Sequence, residues 1–307
     1  MISTAVIMNA LELGCIYSLV ALALFLSFRI LNIADMTTNG AFTLGCAVSA
    51  TIALAGHPYL AFPAAMLAGA AAGFVTALLQ TRFRIPSILA GIITDTGLYT
   101  VNLAVMGFSS NVNLLKKATL FSALKPMLGT YYRLIPSALI AIITVVLLVL
   151  FLKTRLGLSI RATGDNAAMV RASSINPAFT ITVGLCISGA LCALSGGLLA
   201  QYQKSCDINV GTGMVTIALA SLIIGETLLG KRTMLRRIIG VVFGSCLYRF
   251  IVAVALRFNV PAAAMKLVSA IIVAIAISMP AIKEKIAFEQ RKHGACRRRG
   301  TTGKEGK

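Results

Sequence analysis

Apolar stretches of about 20 residues alternate with short polar connections along most of this chain. A helix rises ~1.5 Å per residue and the hydrocarbon core of a bilayer is about 30 Å thick, so each such stretch is long enough to cross it. Nine segments qualify, at roughly 5–28, 33–55, 58–80, 85–107, 134–152, 178–203, 212–230, 238–257 and 262–281. The pattern predicts an all-α, polytopic membrane bundle of about eight to ten transmembrane helices. Segments two and seven are the weakest, and both are compatible with a half-helix or a re-entrant element. The polar island Ser159–Asn176, "SIRATGDNAAMVRASSIN", separates two uncharged spans. It reads as one or two short helices, with a break at Gly164 and a stop at Pro177. Two readings stay open for it: a docking element for a soluble partner, or a loop whose arginines only set topology.

Composition excludes other classes. The chain is 58% hydrophobic and 12% charged, which no soluble fold of 307 residues sustains. The net charge of +19 raises nucleic acid as a partner, but the basic residues sit in connections and in the C-terminal tail. That distribution is the positive-inside bias of a membrane protein. Placing the tail inside puts the N-terminus outside and 20 of the 28 Lys and Arg on the cytoplasmic face. Residues 1–282 then form a transmembrane domain, and 283–307 a basic cytoplasmic tail expected to be disordered near anionic lipid. The one long external connection, Phe108–Arg133, repeats Leu114, Leu115, Ala118, Phe121, Leu124 and Leu128 at helical spacing. It is expected to lie on the outer surface as an amphipathic element, exposing Lys116, Lys117, Lys125 and Arg133. Seven cysteines show no metal-ligand spacing, and His57 and His293 form no cluster, so no metal site is expected. No phosphate-binding Gly-Lys-Ser/Thr loop and no hydrolase motif occurs, so no catalytic residue is assigned.

Ionisable residues within membrane spans are costly and mark pathways or pairs. Glu12, Asp95, Glu226 and Arg249 are such residues. Asp95 and Arg249 lie about 15 and 17 Å from the inner side along their spans, by helical rise, so they are candidates to pair at the midplane. Glu226 is a candidate to pair with Lys231. Asp35 and Asn39 lie in "NIADMTTNG", a polar interruption that reads either as unwound backbone lining a cavity or as an ordinary helix entry. With Asn102 these residues make up the pathway candidates. A faint internal echo links "GCIYSLVALAL" and "NIADMTTNGAFTLG" with "GALCALSGGLL" and "DINVGTGMVTIALASLIIG". In the charge-based topology the two copies start on opposite sides, which is the inverted-repeat pattern of many transporters.

Three blocks resemble a known family. They are "GCIYSLVALALFLSFRILNIADMTTNGAFTLG", "GLSIRATGDNAAMVRASSIN" and "ISGALCALSGGLLAQYQ". They are similar to the permease subunits of binding-protein-dependent ABC importers, in the group of branched-chain amino-acid, ribose and nucleoside permeases. Ser174, Asp35 and Glu226 depart from the pattern of the leucine, isoleucine and ribose members. "ILAGIITDTGLYTVNLAVMG" and "IIGETLLG" look most like the amino-acid, tryptophan/tyrosine-like subgroup. The resemblance implies a multi-pass bacterial inner-membrane subunit that pairs with a second permease copy, expected to be identical. It implies docking to ABC ATPase subunits through 159–176, with Arg161, Gly164, Asp165, Asn166, Ala167, Ala168, Arg171 and Asn176 as coupling residues. It implies an extracytoplasmic solute-binding protein; Lys116, Lys117, Lys125 and Arg133, the basic cluster placed outside, are the residues expected to dock it. ATP and Mg would be bound by the partner ATPase, leaving this chain without a cofactor or catalytic group. An ion-coupled secondary transporter using Asp95, Glu12 or Glu226 is the competing expectation.

Overall fold

A computed structural model describes residues 4–257, except 116, 118, 231 and 232, together with 267, 270, 271, 274 and 278. The ninth expected span and the basic tail therefore fall largely or wholly outside the described residues. The described chain is helical, with one two-stranded ribbon. Its helices are α1 (Thr4–Leu24), α2 (Thr38–Leu54), α3 (Ala61–Thr81), α4 (Ser87–Val105) and α5 (Leu120–Leu128). There follow α6 (Leu134–Lys153), α7 (Arg155–Asp165), α8 (Ala167–Ala172), α9 (Pro177–Gln203), α10 (Met214–Leu229) and α11 (Met234–Arg257). Strands β1 (Asn111–Asn113) and β2 (Ser205–Asp207) pair antiparallel, with Val112 opposite Cys206.

Six of these helices are long and apolar enough to cross a membrane, while Thr38–Leu54 and Met214–Leu229 are shorter. The two weakest sequence segments are thus the two short helices. Each follows a long helix and a polar break. The first long helix continues α1 through a π-helical turn, Phe25–Ile30, before the backbone leaves helix. The second is α9, which ends at Lys204 in the left-handed conformation.

The two units run in opposite senses. The start of α1 meets the end of α9, where the Tyr202 hydroxyl lies 2.8 Å from Glu12 Oε2 and 2.5 Å from Asn9 Oδ1. The ribbon sits at this same end, with Cys206 packed among Cys46, Ala50 and Met106. The far ends of α1 and α10 meet at the opposite end of the bundle, where Arg29 reaches Glu226. The sequence echo therefore corresponds to a real pair of long–break–short units, directed oppositely as in transporters built from inverted repeats.

The core is built on α1 and α9, each buried over 78% of its apolar window, against 28% for α4 and α6. Small residues let these central helices approach. A Cβ on Gly69 would stand 2.3 Å from the Gly189 carbonyl, so α3 and α9 meet backbone to backbone. The Gly240/Gly244 spacing is likewise used inside the chain, where α11 packs on Ser221 and Gly225 of α10. Buried hydroxyls then satisfy themselves locally or on a neighbouring carbonyl. Ser188 donates to Ala23 O at 3.0 Å, Ser195 to Ile16 O at 2.6 Å and Ser245 to Gly14 O at 2.9 Å. Each bond crosses between helices and fixes their register.

The external connection differs from its expected form. Leu114 is buried beside the ribbon and Leu115 is exposed, while among the described residues of the connection α-helix is confined to 120–128, followed by a 3-10 turn at Gly129–Tyr131. Thr119 caps that helix, accepting from Ser122 N while its own N–H donates to Ser122 Oγ. Residues 111–113 instead pair with β2, which satisfies their backbone groups.

Candidate functional site

Two places in the bundle gather the polar residues. The first is a cavity of about 290 Å³ lined by Asn39, Gly40 and Thr43 of α2, by Asp95, Tyr99 and Asn102 of α4, and by residues of the 208–212 connection. The break after the π turn makes it possible. Residues 31–37 are not helical, Asn32 has φ 56°, and Asp35 is buried, accepting hydrogen bonds from the Thr37 N–H and hydroxyl. Asp35 thus shapes the entry to α2 and is not among the residues lining the cavity. Asn39 follows on the first turn of α2, where its Oδ1 accepts from Val215 N at 3.3 Å. The starts of the two short helices therefore meet here.

Two glycines allow the close approach. A Cβ on Gly40 would lie 2.7 Å from Asp95 Oδ1, and one on Gly211 would lie 2.1 Å from the Asn39 carbonyl. Asp95 Oδ1 accepts from Gly40 N at 2.6 Å, and Asn102 Nδ2 donates to Gly40 O at 3.2 Å. Asn102 is 1% exposed, and its Oδ1 has no hydrogen-bond partner among the described residues.

The expected Asp95–Arg249 pair is absent. Among the described residues no ion pair joins them. Arg249 lies on α11 with its guanidinium 3.4 Å from the centre of the Tyr17 ring, a cation–π contact that replaces a carboxylate partner. It lines a separate, larger hollow of about 470 Å³ with Asn9, Ala10 and Leu13. Equal depth in two spans does not make two residues neighbours; the helix faces decide, and Asp95 faces α2. Glu12 lines neither hollow and is buried against Tyr202.

The second place is the opposite end. Glu226 is 6% exposed near the end of α10 and accepts two hydrogen bonds from Arg29, at 2.9 and 2.7 Å. Arg237 of α11 donates to the same carboxylate at 2.9 Å and lies 5.4 Å from the Phe25 ring. Glu226 therefore joins the π turn, α10 and α11 and does not line the cavity; its expected partner Lys231 lies outside the described residues. Against this joint packs the polar island. It forms two helices as expected, but the break is at Asn166 and not at Gly164. Asn166 Oδ1 accepts from Ala168 N and Met169 N at 3.0 and 3.1 Å, an N-cap that ends α7 and starts α8. Gly164 instead presses on the π turn, where a Cβ would stand 1.8 Å from Ile30 O.

Pro177 begins α9 rather than stopping the island. It occupies the first helical turn, and Asn176 caps that turn through Ala178 N at 3.0 Å. Thr163 and Thr180 meet at 2.8 Å and tie α7 to α9. Ile160 and Val170 are buried. Arg161, Asp165, Asn166, Ala167, Ala168, Arg171 and Asn176 are exposed.

At the ribbon end, Lys117 and Lys125 are exposed and Lys116 lies outside the described residues. Arg133 is only partly exposed, with its guanidinium 5.2 Å from the Tyr132 ring and 5.1 Å from the Tyr202 ring. Its expected place in an open basic cluster is corrected: two aromatic faces hold it. Sequence reasoning missed Tyr99, Thr212 and the two arginines on Glu226. Tyr99 was within reach, since Asp95, Tyr99 and Asn102 at i, i+4 and i+7 share one helix face. No group of three or more candidate metal ligands occurs among the described residues.

This is a multi-pass helical membrane protein with two short helices meeting at a polar cavity, the build of a transport subunit. The chain belongs to the family described as "Branched-chain amino acid transport system / permease component", which it matches over residues 6–277. It is 34% identical over 268 residues to the tyrosine transport system permease protein of Clostridioides difficile, covering 87% of this chain and 88% of that one. It is 32% identical to the uncharacterized protein RP368 of Rickettsia prowazekii, covering 89% and 97%. With the ribose import permease protein RbsC of Haemophilus influenzae it shares 24% identity over 80% of this chain and 75% of that one. The Clostridioides and Haemophilus relatives are named as transport permeases. No solved structure matches the chain.

Proposed function

We propose that this chain is the permease subunit of a binding-protein-dependent ABC importer of the bacterial inner membrane, carrying an amino acid or a similar small polar solute. Two copies would enclose the pathway, each docking a separate ATPase that binds ATP and Mg, while an extracytoplasmic binding protein delivers the solute at the ribbon end. This orientation puts the N-terminus outside and the C-terminal tail in the cytoplasm, in keeping with the positive-inside bias. The named tyrosine permease supports an amino acid as the first solute to try.

The observation that carries the reading is the α7–α8 pair. Its apolar residues Ile160 and Val170 are buried against the bundle while Ala167, Ala168 and Arg171 are left exposed. Through Gly164 it bears directly on the π turn, and through Arg29 that turn is held to Glu226. A push on α7 from an ATPase would therefore reach the ends of α10 and α11 through backbone contact and a charged joint. Asn39, Asp95 and Asn102 are the pathway residues in this reading, and the docking role of Lys117 and Lys125 remains part of it. The competing ion-coupled reading is disfavoured for Glu226 and Glu12, whose carboxylates are engaged by Arg29 and Arg237 and by Tyr202.

The test is uptake of labelled tyrosine in proteoliposomes holding the permease, the ATPase and the binding protein. Ala168→Trp places bulk on the exposed first turn of α8 and is expected to abolish uptake. The permease should keep its thermal stability, and ATP hydrolysis should no longer respond to the loaded binding protein. Normal uptake by this variant would count against the coupling assignment.

A further inference from the structure

Asp95 is a carboxylate facing a cavity within the membrane domain, and no cation of the described chain lies within ion-pair distance of it. Such a charge is expensive at that depth unless something pairs with it. One oxygen already accepts from Gly40 N. Among the described residues no protein donor is recorded for the other oxygen. On the same face of α4, the Asn102 Oδ1 is a buried acceptor without a donor. The two acceptors are seven residues, about 10 Å, apart along one helix that lines the cavity. The ring of Tyr99, 51% exposed, stands between them along the helix.

A group that satisfies Asp95 and the Tyr99 ring, one helical turn apart, is a primary ammonium. It brings three N–H donors and a positive charge, and it is attracted to an aromatic face. The opposite wall leads from Thr212 into the first turn of α10, where Gly213 has φ 87°. The positive end of that helix favours a negative group.

We infer that this cavity is a solute-reading site within the permease: Asp95, with the Tyr99 ring one turn away, takes the ammonium of an α-amino acid, and its carboxylate turns toward the start of α10. The inference rests on the permease reading above and adds that the permease, not the binding protein alone, requires an amine. Sugars and other solutes without an amine would leave Asp95 unpaired. Asp95→Asn is a close test, because an asparagine Oδ1 can still accept from Gly40 N in nearly the same volume, while the charge is lost and the second acceptor becomes an N–H donor, which cannot receive an ammonium.

The experiment uses proteoliposomes with wild-type ATPase, wild-type binding protein loaded with labelled tyrosine, and the permease variants. Any change then resides in the permease. Asp95→Asn is expected to lower the uptake rate at least about tenfold, in line with loss of a charge-assisted hydrogen bond. Asp95→Glu keeps a carboxylate on the same face of α4, and is expected to transport at least about threefold faster than Asp95→Asn. Uptake by Asp95→Asn within about twofold of wild type, at normal permease level, overturns the inference and leaves the importer reading standing. Uptake by Asp95→Glu no faster than by Asp95→Asn overturns it as well, since Asp95 then acts through something other than charge. Uptake driven by a Na⁺ or proton gradient without ATP, and lost in Asp95→Asn, makes Asp95 an ion site and overturns both readings.

Discussion

Two carboxylates in this membrane domain meet opposite fates. Glu226 accepts from two arginines, one on the π turn and one on α11. Asp95 accepts one backbone N–H and otherwise faces an open cavity. Both residues are glutamate or aspartate within an apolar helix, and by composition alone they are equivalent. The difference lies in what the fold brings to them. Glu226 is neutralised within the chain, so it is part of the frame. Asp95 is left for a partner that the described residues do not supply. The lesson is that an intramembrane charge marks a functional position only after its neighbours are known.

Removing the frame charge should have the largest effect. Glu226→Ala strands Arg29 and Arg237 at the end of the bundle. Their side chains are 34% and 22% exposed, so the loss falls between the surface and buried extremes, about 2–4 kcal/mol. A fall in the midpoint of thermal unfolding, measured in detergent, checks this; an unchanged midpoint would make the joint ornamental. Restoring the balance by adding Arg29→Gln and Arg237→Gln should return part of the lost stability.

Gly164→Ala comes next. Its Cβ would collide with Ile30 O, a backbone atom that cannot turn aside. The expected cost is about 1–3 kcal/mol from overpacking, with α7 displaced from the π turn. Loss of uptake with retained ATPase docking would place the transmission at this contact. Full activity would show that α7 needs no close seat.

A smaller effect is expected at Asn166. Replacement by Ala removes the cap of α8 and costs ~1 kcal/mol. Because α8 is only six residues long, faster hydrogen exchange at Ala168 and Met169 should register it before any change in global stability. The smallest effect should be at the ribbon end. Changing the exposed Lys117 and Lys125 to Ser is expected to leave stability unchanged and to lower only the salt dependence of binding-protein association, since exposed charges steer docking more than they hold it. An unchanged salt slope would remove these lysines from the docking surface.

Much of this was legible in the sequence. Span lengths identified the helical segments, and polar residues in apolar runs picked out Asn39, Asp95 and Asn102. The short α2 and α10 were visible as the weakest segments and as the second members of the two echo copies. What escaped was whatever depends on contacts between distant parts. Arg29 and Glu226 are separated by 197 positions, and nothing local at either residue names the other. Arg249 was matched to Asp95 by depth, yet the aromatic ring of Tyr17 was its neighbour. Gly164 was read as a turn because glycine often breaks helices, whereas here it makes room for the Ile30 carbonyl. The ribbon was missed because a three-residue strand carries almost no periodicity and exists only through its partner.

The central claim is that Asp95 serves the solute and Glu226 serves the frame. Its most direct test measures thermal unfolding and tyrosine uptake on the same preparations of Asp95→Asn and Glu226→Gln. The account predicts that Asp95→Asn keeps its unfolding midpoint within about 2 °C while uptake falls at least about tenfold, and that Glu226→Gln loses at least about 4 °C. An Asp95→Asn variant as destabilised as Glu226→Gln, or one that transports normally, would contradict it.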